Sequence, residues 1–390
     1  MQAVQDVVSA SHRVAGVALA LCLLPLVGIG AAEAWTYKTL YSFNGAKGGG
    51  GPGAIIRDSA TGDFYGTTFY GGFKSKGVAF KVSADGKETV LHRFTGQQDG
   101  EVGLADDGLT RDDAGNLYGV AAQGGNLDYC FGYGCGVVFK IAPDGAYTVL
   151  HAFTDSDGSD PRGRLTWDAT SGDLYGTTYA GGQGFGVVFK LTADGTYSVL
   201  YSFSGIEDGA YPGTGLTMDG SGYLYGTTPY GGDWQCRSYG CGTIFKLAPD
   251  GSETLLHVYH TKKYAPPHGD LIGDGMGHLY GTAGVNVFRI GLDGAYVIVH
   301  RFKDIDGHPY APVGDLSLAA SGGLFGMAVS EYSGLLFHIA ANGKEKVLYN
   351  FPGEPWPRHG VIGDEKGNLY GVTFHGGSAG NGAIFELVKD

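Results

Sequence analysis

Four Asp-Gly pairs, at Asp99, Asp157, Asp208 and Asp306, recur in this sequence shortly after a strand-like run. Carboxylates brought together at a suitable separation could run glycoside hydrolysis, in which two carboxyls flank the scissile bond. They could also contribute to a calcium site, which takes six or more oxygens. The plain alternative is a turn, since Asp and Gly both favour one. Four histidines, His92, His151, His257 and His300, share one position with Tyr41, Tyr201 and Tyr349 in a recurring segment. Equivalent positions of separate units point to separate seams, so these rings cannot converge on a metal. His there reads as a flat ring with a polar tip, interchangeable with Tyr. Trp234 and Trp356 each occur in one unit only, so repeat packing does not require them. With Tyr310 and His375 they are candidate contacts for a flat, hydroxyl-rich ligand such as a sugar. No H-E-x-x-H, G-x-S-x-G or phosphate-loop pattern is found.

The elements that position these residues are repeats. LYGTT, first seen as Phe64-Tyr65-Gly66-Thr67-Thr68, returns at Leu117, Leu174, Leu224, Leu279, Leu324 and Leu369, always with Gly third. A period of about 50 residues signals a repeat architecture. Each unit reads as four short strands rich in Val, Tyr, Phe and Thr, broken by Gly and Asp, the pattern of antiparallel hairpins. After a first strand such as 215–219 come LYGTT, a GVVFKL-type strand such as 186–191, and a VLYSF-type strand such as 199–203. Asp58, Asp112, Asp168, Asp219, Asp274 and Asp364 end first strands and are expected to make side-chain turns onto nearby amides. Between the third and fourth strands stand Asp85-Gly86 and its equivalents, read as type I′ turns.

Counting strands sets the topology. LYGTT and the VFK-type strand each occur seven times, and six VLYSF-type strands follow an Asp-Gly or Asn-Gly turn. The seventh stands alone at Thr39-Leu40-Tyr41-Ser42-Phe43, while the last unit stops at Asp390 without one. The N-terminal strand (about 36–43) therefore completes the last unit. The fold predicted is an all-β, seven-bladed β-propeller of four-stranded antiparallel blades closed by strand exchange, which also hides edges. Connections in such blades alternate between two faces. One set is uniformly tight; the second-to-third and fourth-to-first loops are long and varied, so function is assigned to their face.

Cys130, Cys135, Cys236 and Cys241 form two pairs of equal spacing on that face, in units two and four. In an exported protein they read as two small-loop disulfides. The alternative four-thiolate zinc site would need pairs from non-adjacent units to meet. The first 34 residues carry His12-Arg13, an uncharged run from Val14 to Ile29 and Ala32-Glu33-Ala34, which together read as a signal peptide with a small-x-small cleavage site. The alternative is a retained membrane anchor. Residues 35–390 then form one domain, extracytoplasmic, with no stable membrane insertion after cleavage and expected to be monomeric. The formal net charge is −13 and no basic block occurs, which argues against nucleic acid as a partner.

The units LYGTT-x-x-GG, G-x-V-F-K-L and DG-x-x-x-VLYSF, in register from Trp35 to Asp390, resemble the bacterial tandem repeat called GloVer, found in choice-of-anchor surface and exported proteins. The resemblance implies an extracytoplasmic repeat protein of unassigned biochemical role and supplies no catalytic residues. The expectation is a non-enzymatic binding module for a glycan, cell-envelope or protein ligand, with no cofactor. The alternative is a propeller enzyme acting on glycans or lactones, with calcium as its cofactor. A purely structural envelope component is a third reading.

Overall fold

The computed structural model describes residues 35–103, 108–236, 239–260, 266–305, 308–320, 322–331, 333–353 and 356–389. The expected signal segment and Asp306 lie outside the described residues. Blades 1 to 6 span residues 50–93, 110–152, 159–202, 217–258, 267–301 and 311–351, each a meander running from inner to outer strand. The inner strand of blade 3 is split into Ser159–Pro161 and Thr166–Trp167. Blade 7 is built from Ile362–Gly363, Leu369–Thr373, Ala383–Lys389 and, outermost, the N-terminal strand Trp35–Ser42. The chain is thus an all-β, seven-bladed propeller closed by its N-terminal strand. Tyr41 pairs with Ile384 and Thr39 with Phe385, which leaves Leu40 as a bulge. The outer strands of blades 1 to 6 bulge at the same point, for example Leu200 between the pairs Val188–Tyr201 and Phe189–Val199. The closing strand is therefore an ordinary fourth strand supplied from the other end of the chain.

The glycine of LYGTT has a steric cause. A Cβ on Gly226 would lie 2.5 Å from Cζ of Phe245, the phenylalanine of the neighbouring VFK-type strand, and the other six glycines are covered in the same way. That ring meets the outer-strand phenylalanine of the preceding blade edge-on: Phe203 and Phe245 centroids are 5.3 Å apart, and Phe43 and Phe80 5.0 Å across the closing seam. Such pairs are fully buried and add about 0.5–1.5 kcal/mol each beyond area burial.

The shared position of the outer strand faces the next blade, as its separate seams require. His92 stacks on Tyr147 at 3.8 Å and His151 on Tyr197 at 3.8 Å, with planes 11° and 3° apart. Three of these rings have a glutamate for neighbour: Tyr41 donates to Glu88 at 2.8 Å, His300 Nε2 lies 3.0 Å from Glu345, and Tyr201, near Glu253, turns its hydroxyl to Asp208.

The six first-strand aspartates turn onto backbone amides as expected. The carboxylate of Asp219, for instance, accepts from Ser221 N at 2.8 Å and from the Tyr225 hydroxyl at 2.8 Å. The type I′ expectation is corrected. Gly86 and its equivalents have positive φ, but Asp85, Asp144, Asp194, Asp250, Asp293 and Asn342 do not. These are three-residue loops, a type I turn followed by a left-handed glycine, with bonds such as Gly145 N to Ala142 O at 2.8 Å. Pro143 and Pro249, just before the Asp, supply the fixed φ that the first central position of a type I turn favours.

Candidate functional site

The long-loop face is organised by a position that precedes proline at the start of an inner strand. Gly51, Asp160, Tyr211 and Trp356 stand before Pro52, Pro161, Pro212 and Pro357, and all have positive φ (61°, 55°, 59° and 42°). Residues before proline are normally driven to extended conformations, and a left-handed non-glycine residue costs about 1–3 kcal/mol. Bonds across the seams hold three of these positions: Gly51 N donates to Asn381 O at 2.8 Å, Asp160 N to Cys135 O at 3.0 Å and Tyr211 N to Phe185 O at 2.8 Å. The frame is repeated while the side chain it presents changes from blade to blade.

Two aromatic clusters grow from this frame. Over blades 3 and 4, Tyr211 stacks on Tyr179 (5.1 Å) and meets Phe185 and Tyr230 edge-on, while the Arg162 guanidinium lies 4.0 Å from the Tyr179 ring. Over blades 7 and 1, Trp356 lies 5.6 Å from His375, and His375 packs on Phe374 at 4.9 Å. Phe374 continues to Phe69 (5.7 Å) and Tyr70 (6.2 Å) and carries Arg358 at 4.4 Å from its centroid. Two predicted contacts, Trp356 and His375, are thereby brought together. Trp356 is 45% exposed.

The other predicted contacts stand apart. Trp234 is half-exposed and donates its indole N–H to Ile206 O at 2.8 Å, which ties blade 4 to the blade 3 loop. The Tyr310 hydroxyl lies 2.7 Å from Ser333 Oγ. The Asp-Gly carboxylates turn toward their own outer strands. Asp99 Oδ2 is 3.1 Å from His92 Nε2 and accepts from Thr95 N at 3.1 Å. Asp157 repeats this with His151 (3.1 Å) and Thr154 N (2.8 Å). Asp208 accepts from the Tyr201 hydroxyl (2.8 Å) and Ser204 N (2.8 Å). Burial holds the His92 and His151 pKa values below the ordinary imidazole value, against the pull of these carboxylates. Both disulfides form, Cys130–Cys135 and Cys236–Cys241, with Cα atoms 5.3 and 5.8 Å apart, each closing a loop of this face.

A buried ionic cluster near the axis is absent from the sequence-based candidates. Inner strands converge there, and a Cβ on Gly269 would sit 2.5 Å from Gly314 O of the next blade. Asp270 accepts from Gly215 N at 2.5 Å and pairs with Arg164 at 3.2 Å. Its own N–H donates to Asp315 Oδ1 at 2.7 Å. Burial, and next the Asp315 charge, push the Asp270 carboxyl up to about 7, against Arg164. His268, two residues earlier, points its ring nitrogens at Pro266 O (3.1 Å) and Pro312 O (2.9 Å). The available signal was P-x-G-[RD]-L at 161–165, 267–271 and 312–316, where a charged residue precedes the buried leucine of a strand nearest the axis. Among the described residues no group of three or more His, Cys, Asp or Glu side chains is arranged to hold a metal ion, and no helix is long and apolar enough to cross a membrane.

Several solved structures share the fold. A streptogramin B lyase matches with a TM-score of 0.60 at 15% identity, over 91% of this chain and 98% of that one. The extracellular domain of a protein assigned as a hybrid two-component system of B. thetaiotaomicron matches with a TM-score of 0.57 at 12% identity, over 90% of this chain and 41% of that one. No curated protein sequence matches significantly. The model of the Gloeobacter/Verrucomicrobia repeat matches residues 31–238 and 131–329. With that match spanning more than half of the chain, and with LYGTT, VFK and VLYSF strands in register in every blade, the protein belongs to the Gloeobacter/Verrucomicrobia repeat family.

Proposed function

We propose that the protein is an exported, non-enzymatic binding module that holds a glycan or cell-envelope ligand on its long-loop face. The observation that carries this reading is Trp356: a large aromatic, 45% exposed, at φ 42° before a proline and beside His375. Strained backbone that presents a half-exposed ring to solvent is a feature of ligand clamps. The paired loop disulfides suit an oxidising, extracytoplasmic compartment. A glycan array and an envelope pull-down with the full chain test the reading. Trp356→Ala should weaken retention by about tenfold, or about 1.4 kcal/mol, with the melting temperature unchanged. Absence of any ligand in both assays would overturn it.

The enzymatic reading draws on a different observation, the Asp270–Asp315 pair, since a carboxyl with a pKa near 7 is suited to acid–base work. Turnover of a lactone or glycoside that vanishes in Asp270→Asn would favour it over binding alone. Stoichiometric calcium by plasma emission analysis would favour its calcium-dependent form.

A further inference from the structure

The first-to-second blade seam carries an open groove of ≈ 850 Å³ at the outer rim of the long-loop face. That volume lies within the roughly 300–1,000 Å³ of ligand pockets. Thr95, Gln97 and Gln98 form one wall; Asn126, Leu127 and Asp128 form the other. A main-chain bond pins the walls together, Gly125 N donating to Gln97 O at 2.8 Å, and Gly100 N closes the first wall's own turn onto the same oxygen at 3.2 Å. No Lys or Arg lines the groove. Beyond Asp128 the chain enters the loop closed by Cys130–Cys135, which holds out Tyr129, Phe131 and Tyr133 at 43%, 102% and 69% exposure. Cys130 and Phe131 have φ of 49° and 59°, so this tip is a fixed conformation that displays its rings rather than packing them.

We propose that this groove is a subsite for an uncharged polysaccharide chain, with the stapled loop as its aromatic rim. The proposal rests on the binding reading above and specifies where and what it binds. Three amide side chains offer donors and acceptors side by side, matching sugar hydroxyls that are both at once. Asp99 and Asp128 on the walls, with no Lys or Arg among the lining residues, disfavour anionic polymers. Leu127, Val149 and Ala152 add apolar surface beside the amides, a mixed lining that suits the C–H faces and hydroxyls of a sugar together. Exposed rings cover the C–H faces of pyranoses without requiring charge. Because the main-chain bonds and the disulfide preform the site, less ordering entropy is lost on binding.

Affinity electrophoresis of the full-length mature protein tests this, with laminarin, xylan and amylose as neutral polymers and alginate and polygalacturonate as anionic ones. The expected result is retardation by at least one neutral polymer and by neither anionic one. The double variant Gln98→Ala, Phe131→Ala should weaken it at least tenfold, with the melting temperature preserved. Cys130→Ser with Cys135→Ser should weaken it as well. Retardation that survives the groove variants but is lost in Trp356→Ala overturns the groove and leaves the binding reading standing. Preference for an anionic polymer overturns the ligand class. No retardation by any polymer, together with a blank glycan array and pull-down, removes both readings.

Discussion

Asp270→Asn removes the charge at the axis while keeping the side chain's shape and its acceptor for Gly215 N. A raised carboxyl pKa means that the folded state holds a proton the unfolded chain has released. Stability is then present below the unfolded value and falls as pH rises through the folded one. For a rise from 3.8 to about 7, at 1.36 kcal/mol per unit, the wild type is worth about 4 kcal/mol less at pH 8 than at pH 3 from this group. The attraction of Arg164 is already contained in that pKa. Unfolding entropy of about 2.1 cal/mol/K per residue over residues 35–390 gives about 0.75 kcal/mol per degree. Melting temperatures followed by circular dichroism from pH 3.5 to 8.5 should coincide for the two proteins near pH 4. They should separate progressively as pH rises from about 4 to about 7 and level off at about 5 °C in favour of Asn by pH 8. A variant less stable than wild type at pH 8, or a gap that does not change with pH, would refute the reasoning. Either would mean that Arg164 outweighs burial and the Asp315 charge at the Asp270 carboxyl.

Three further outcomes are expected. Gly226→Ala places a Cβ 2.5 Å from Phe245 Cζ, and overpacking of that kind costs about 1–3 kcal/mol, to be read as a lowered denaturant midpoint with unchanged slope. His151→Tyr keeps the stack on Tyr197 and a donor for Asp157, as Tyr201 does for Asp208. Burial lowers the pKa of His151, so the wild type loses stability as pH falls below about 6.5, and the variant should lose less between pH 7 and 5. A chain that begins at Asn44 lacks the strand paired with Ala383–Lys389 and should lose its single cooperative melt and be cleaved by protease within blade 7; an unchanged melt would count against closure by that strand.

The ring was legible because its causes are local. Gly under Phe, Asp ahead of a tight turn and the unpaired Thr39–Phe43 segment recur or fail to recur at countable positions. The candidate site was less legible because it depends on what is not repeated. Asp99, Asp157 and Asp208 look from spacing alone like a ring of free carboxylates, and only the fold shows each folding back onto His92, His151 or Tyr201. Asp160 carried no mark beyond preceding a proline, since its backbone bond to Cys135 O arises from the neighbouring blade. Asp270 and Arg164 are 106 residues apart, and their encounter is produced by the convergence of inner strands. The three-residue hairpin loops could have been read from Pro143 and Pro249.

The seams between blades have a consequence for assembly. Histidine meets tyrosine at His92–Tyr147, His151–Tyr197 and His257–Tyr296; tyrosine meets glutamate at Tyr41–Glu88; histidine meets glutamate at His300–Glu345; and tyrosine meets tyrosine at Tyr349–Tyr37. Seven nearly interchangeable modules could otherwise dock out of turn while the chain is collapsing. The His–Tyr pairing repeats at the borders of blades 1/2, 2/3 and 4/5, but a Tyr or His that faces Glu at other borders would meet a ring in a wrong neighbour, so the order of the modules is written in part into their contacts as well as into the covalent chain.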